Sequence, residues 1–201
     1  MKNRLIYGVV LLALVAWTIP AIADEQSGAA IAEAPELDWL KLDAALKTAD
    51  REGKHIMVDV YTDWCTWCKK LDRDTYGDPA VRQVLAESYI SVKLKGDSDA
   101  PLNVKGQPKK EGDRTMVQFV PTEQPVTTER QLTRGAFRVT GFPTIMFLAA
   151  DGKVITSLPG YKDAVAFRNI LNFIKDDLYE VMTYQDYLKS LENATTEGGK
   201  S

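Results

Sequence analysis

The chain's two cysteines, Cys65 and Cys68, stand at i and i+3 in the run Trp64-Cys65-Thr66-Trp67-Cys68. In the first turn of a helix that spacing puts both side chains on one side, with their backbones within the reach of a disulfide, so the pair can open and close one bond. At the helix start, Cys65 meets unsatisfied N–H groups and the positive end of the dipole, which favour its thiolate and make it the attacking sulfur. Cys68, one turn deeper and less exposed, is the resolving thiol that displaces a partner from the mixed disulfide. A loop this short restrains little unfolded-chain entropy, so a purely stabilising role explains the pair poorly. A structural zinc wants four Cys or His ligands, and the one further candidate is His55. Ten residues of mostly extended chain put His55 roughly 25–30 Å from Cys65, as a surface residue, so no metal is expected. Two-thiolate binding of Cu(I) stays open as an alternative.

These cysteines must be delivered by a strand and held by a helix. Residues 56–61, Ile-Met-Val-Asp-Val-Tyr, form a short apolar run that predicts a buried strand. Asp63 is the expected N-cap of the helix that follows, to about residue 74. Asp78-Pro79 restarts a helix, and residues 89–95 predict a second strand, giving a βαβ unit with parallel strands. Upstream, Leu40, Leu42, Ala45 and Leu46 at helical spacing predict a helix over 37–52, closed by Gly53. Residues 128–137 predict a helix leading to Gly141-Phe142-Pro143-Thr144 and a strand over 145–148. Asp151-Gly152 then turns the chain into a strand over 154–158. Phe167, Ile170, Leu171 and Ile174 mark a packing helix over 164–178, and a short helix is expected over 184–191 before a disordered tail.

Between the second strand and the helix at 128, the stretch 96–126 is rich in Pro and Gly and far longer than the usual connection, so it is expected as an inserted loop with little regular structure. Within it, 115–120 is an even choice between strand and loop. Because it leaves from the strand end that bears the cysteines, the insertion is expected beside them, selecting the partner.

The opening residues carry Lys2 and Arg4, an apolar run to about residue 19, and Ala21-Ile22-Ala23 before Asp24. This predicts a secretory signal peptide over 1–23, too short to span a bilayer as a helix, followed by a flexible lead-in over 24–36. Loss of two cations and no acid takes the formal charge from −3 to −5. No basic field is left for nucleic acid and little for an anionic membrane surface, so a soluble periplasmic protein without stable membrane insertion is expected. In an oxidising compartment, two cysteines and no more suggest thiols kept for chemistry rather than a bridged framework. No phosphate-cradling glycine loop occurs, and no cofactor is expected.

Four elements in order now give a resemblance: Trp64-Cys65-x-x-Cys68, the acid Asp59 six residues before, Gly-Phe-Pro-Thr at 141–144, and Gly160 after the last hairpin. Over about residues 40–175 the chain resembles the thioredoxin superfamily. The runs 58–65, 69–71 and 77–81 are most similar to the C-terminal reductase domain of DsbD-type thiol:disulfide interchange proteins. The resemblance implies an α/β thioredoxin fold over 37–180, a central mixed sheet of about four strands flanked by helices and carrying the insertion at 96–126. A C-terminal extension over 181–201, partly disordered, follows. It also implies that Pro143 is a cis-proline facing the disulfide, that Asp59 is a buried acid exchanging the proton of the resolving thiol, and that Trp64, Trp67, Phe142 and Thr144 bind substrate. Lys93 matches a lysine that partners the acid, although Lys95 shares its strand face. Thr66-Trp67, the absence of a helix proline after Cys68, and the insertion depart from the familiar members.

The expected function is that of an exported thiol:disulfide oxidoreductase reducing protein disulfides, with electrons from a membrane thiol donor. Neither Thr66 nor Trp67 is cationic, so little beyond the helix start stabilises the reduced form, whereas a strong oxidant needs that stabilisation. The alternatives are a disulfide oxidase or isomerase, and a client-binding chaperone, apo-cytochrome or copper module that uses an exposed rim of Tyr61, Trp64, Trp67 and Phe142.

Overall fold

A computed structural model describes residues 34–198, with side chains through residue 194. The signal peptide and most of the lead-in expected from the sequence lie outside these residues. Five strands form the main sheet: β1 (Trp39–Leu40), β2 (His55–Tyr61), β3 (Tyr89–Lys95), β8 (Thr144–Leu148) and β9 (Val154–Pro159), in the order β1-β3-β2-β8-β9. β3 runs parallel to both β1 and β2, while β8 is antiparallel to its neighbours. The α/β thioredoxin fold expected from the sequence is therefore present, with the short β1 added to four longer strands.

Alternation along β2 explains the two layers. Ile56, Val58 and Val60 face one core with α1 (Leu42–Glu52), while Met57 and Asp59 face the other. That second layer holds α2 (Thr66–Asp74), α3 (Pro79–Ser88) and α5 (Ala164–Lys175). The amphipathic stripe of α5 is the one expected, with Phe167, Ile170, Leu171 and Ile174 buried. Asp78 caps α3 as its sequence position indicates, accepting from the Val81 N–H at 2.9 Å.

Four expectations are corrected. The first helix begins at Leu42 rather than 37, because Trp39 and Leu40 pair with Ser91 and Val92 as an edge strand. Asp63 does not cap α2. Cys65 does, and Asp63 pairs instead with Lys95. The helix expected over 128–137 is α4 (Glu129–Arg134), started by a reciprocal cap between Thr128 and Gln131. The tail expected to be disordered from residue 192 continues α6 (Tyr184–Gly198), which is anchored by Tyr184 and Tyr187 packing on Phe173. Once that first turn is fixed by packing, each further residue adds a helical hydrogen bond.

The insertion differs most from its expectation. It is a β-hairpin, β5 (Val104–Glu111) with β6 (Arg114–Pro121), entered through β4 (Pro101–Leu102), which pairs with β7 (Thr127–Thr128). Gly112, at a φ of 58°, makes the turn. Phe119 plugs the core and meets Phe137 edge-on at 4.9 Å. The Phe119 N–H donates to the Gly152 carbonyl at 2.9 Å, and Lys109 and Glu111 pair with Asp151 and Lys153. Those partners sit in the turn after β8, at the sheet end away from the cysteines. The body of the insertion therefore does not lie beside Cys65 and Cys68, because burial of Phe119 draws it the other way. Phe119→Ala is expected to lower stability by about 3–4 kcal/mol, read by urea unfolding. A loss below about 1 kcal/mol would show that the hairpin is not part of the core.

Candidate active site

The chain leaves β2 at Tyr61 and turns directly into α2, so the strand that buries Asp59 also delivers Cys65. The two sulfurs are joined in a disulfide, with a Cα–Cα separation of 5.3 Å. As N-cap, Cys65 accepts through its sulfur from the Cys68 N–H at 3.1 Å, so that sulfur already faces the backbone donors of the helix start. The expected contrast in exposure is small: Cys65 is 5% and Cys68 2% exposed.

Exposure belongs to the flanking indoles instead, Trp64 at 69% and Trp67 at 57%. Trp64 meets the Phe142 ring edge-on at 5.8 Å, and Trp67 lies against Tyr161, whose centroid is 5.6 Å away. Tyr161 was not recognisable as a site residue from sequence. Its place after Gly160 was the available signal. Tyr61, expected in the rim, turns instead toward Lys93.

The Phe142–Pro143 peptide is cis. The Pro143 carbonyl accepts from the Gly160 N–H at 2.8 Å, tying the proline loop to the end of β9, where Gly160 holds a φ of 81° that favours glycine. Thr144 is buried, and its hydroxyl donates to the Gly141 carbonyl at 2.8 Å. Its hydroxyl therefore closes the loop that leads into β8.

Only the first residues of the insertion reach this corner. A Cβ on Gly96 would stand 2.5 Å from the Phe142 ring, so any larger residue there would displace that ring. Next to it, Asp97 Oδ2 accepts from Trp64 Nε1 at 3.0 Å, and Arg130 of α4 donates to the Asp97 carbonyl at 2.6 Å. Asp97→Ala should free the indole and lower kcat/KM on a protein disulfide about fivefold, the equivalent of about 1 kcal/mol. Unchanged kinetics, with the indole N–H resonance unmoved, would remove Asp97 from the site.

On β2, the strand that leads to Cys65, Asp59 is 1% exposed and stands directly across from Lys93 in the β2–β3 register. Lys93 Nζ lies 2.7 Å from Asp59 Oδ2 and also pairs with Asp72 of α2. Burial pushes the Asp59 carboxyl up from 3.8 to about 6, against the pull of the Lys93 charge. Burial also works against the Lys93 charge, yet the two carboxylates outweigh it and raise that pKa. Register settles which lysine serves the acid, since Lys95 stands across from Tyr61 and pairs with Asp63. His55, expected on the surface, is partly buried at the start of β2, with Nε2 2.9 Å from Asp177 Oδ1.

A family model described as a thioredoxin-like domain matches residues 42–175. The chain belongs to the thioredoxin-like family. It is 30% identical over 129 residues to the thiol:disulfide interchange protein DsbD of Actinobacillus pleuropneumoniae, covering 63% of this chain and 17% of that protein. Against DsbD of Salmonella typhi it is 28% identical over 168 residues, 79% of this chain and 24% of the relative. The chain thus spans less than a quarter of the length of these curated relatives. A thioredoxin from Thermus thermophilus shares the fold, with a TM-score of 0.51 at 20% identity over 70% of this chain and 88% of that one. Like the thioredoxin-like domains it resembles, this chain carries a CxxC-spaced cysteine pair, Cys65 and Cys68, joined in a disulfide.

Proposed function

We propose that this protein is an exported reductant of protein disulfides, with Cys65 attacking, Cys68 resolving and Asp59 exchanging the proton of the resolving thiol. The observation that carries the reading is the Cys65–Cys68 bond at the start of α2, flanked by exposed indoles, with an ionisable acid buried on the strand that delivers it. The cis-Pro143 loop offers the Phe142 backbone to an extended substrate segment, and Trp64, Trp67 and Phe142 supply apolar contact. Recognition falls to this aromatic corner and to residues 96–99 rather than to the hairpin body. The preference for reduction rests on Thr66-Trp67, which adds no cation to stabilise a thiolate. A leader at 1–23 with an Ala21-Ile22-Ala23 site supports a periplasmic location, where a membrane thiol donor would renew the dithiol. Among the described residues, no helix is long and apolar enough to cross a membrane.

Equilibration against a glutathione or dithiothreitol series tests the direction. A potential in the range of thioredoxin, about −270 mV, is expected, and one near about −120 mV, as for a strong oxidase, would overturn it. The exposed indoles also favour a second reading, a holdase for unfolded clients. Client binding that survives in a variant lacking both cysteines would support the holdase.

A further inference from the structure

Lys93 ends in an aromatic enclosure that the two-residue strand β1 completes. β1 places Trp39 beside Ser91, and Lys93 is two residues further along the same face of β3. The Lys93 ammonium lies over the rings of Tyr61, Trp39 and Tyr76, at 4.9, 5.0 and 5.3 Å from their centroids. Trp39 and Tyr76 brace each other edge-on at 5.3 Å. Beyond them a cavity of about 470 Å³ opens to solvent, lined by Trp39, Tyr76, Asp72 and Lys93 among others.

We propose that Trp39 is a positioning residue for the buried acid: its indole, with the rings of Tyr61 and Tyr76, holds the Lys93 ammonium against Asp59. Two carboxylates compete for that ammonium. Asp72 is about half exposed and Asp59 is buried, so a lysine on a flexible four-carbon stem, left unconfined, would follow Asp72 toward water, where its charge is best solvated. Ring faces attract a cation without competing for its hydrogen bonds, and tryptophan does so best. Neither Asp59 oxygen has a well-directed hydrogen-bond partner, so the acid depends on the ion pair that the cage maintains. The other charged groups lining that cavity are Arg82 of α3 and Glu36 ahead of β1. α2 further carries Lys69, Lys70, Arg73 and Asp74, of which Lys70 and Arg73 pair with Asp74, and Lys95 further along β3 pairs with Asp63. The consequence for proton exchange rests on the function proposed above, whereas the positioning does not.

The test is the midpoint of the Asp59 carboxyl, followed by carbon NMR in the oxidised protein, for Trp39→Leu, Trp39→Phe, Lys93→Met and the Leu/Met double variant. Trp39→Leu should raise the midpoint by at least about 0.5 pH unit, a threefold gain in proton affinity. Lys93→Met should raise it further. Trp39→Phe, which keeps a ring, should stay near the parent, and the double variant should match Lys93→Met because Trp39 acts through the lysine. Trp39→Gln replaces the leucine variant if that one does not fold. A midpoint that stays or falls in the ring-less variants, or a full extra shift in the Lys93→Met background, would overturn the proposal. Midpoints that move as expected while turnover does not follow would uphold the positioning and reject the proton role of Asp59.

Discussion

Cys68→Ser is expected to turn the catalyst into a trap. Attack by Cys65 on a substrate disulfide leaves a mixed disulfide, and release needs a second thiol aimed at the Cys65 sulfur. In the structure Cys68 stands one helical turn away, bonded to that sulfur with a Cα–Cα separation of 5.3 Å, an alignment no dissolved thiol reproduces. Intramolecular attack of this kind has an effective concentration far above the millimolar level of external thiols, so resolution should slow by at least ~10³-fold. Covalent adducts should therefore accumulate and be visible by non-reducing electrophoresis and mass mapping, with Cys65 as the attached residue. Cys65→Ser should form none, because the remaining sulfur lies inside the helix rather than at its cap, where the backbone donors favour a thiolate. Adducts on Cys68 in the Cys65→Ser protein would reverse the roles of the pair.

Asp59→Asn should separate stability from catalysis. Unfolded, the carboxyl titrates near 3.8, and folded near 6. Between those values the native state keeps a proton that the unfolded chain has released, so native stability falls as pH rises through that window. The full difference costs about 3 kcal/mol above pH 6, and Asn, which carries no charge to bury, removes most of it. Urea unfolding should show Asn more stable than the parent by about 2–3 kcal/mol near neutral pH, with no advantage below about pH 4. Turnover should fall over the same neutral range, and the step near pH 6 in its pH profile should vanish, since Asn takes up no proton from Cys68. Equal turnover of the two proteins between about pH 6 and 9 would remove Asp59 from the mechanism.

The buried acid and the cis-proline loop were implied by the resemblance to the thioredoxin superfamily, while the cysteine pair, its place at a helix start and the alternation of strands and helices were legible in the residues themselves. Each of these last depends on residues close in the chain: two-residue alternation along 56–61, a three-residue cysteine spacing, the Asp78-Pro79 restart of α3. What the sequence left open required partners distant in the chain. Lys93 and Lys95 share one strand face, and only the β2–β3 register sets Lys93 across from Asp59. Trp39 reads as part of the first helix until β3 offers it an edge, and Asp63 reads as a cap until Lys95 draws it away. The insertion, with its prolines and glycines, carries weak local strand propensity, and it folds as a hairpin because Phe119 gains a core from α1, Phe137 and the Gly152 turn. Local spacing set the cysteine pair at the start of α2. Tertiary packing decided which charges meet the buried acid and where the insertion lies, because burial and ion pairing are paid for by groups that the chain order keeps apart.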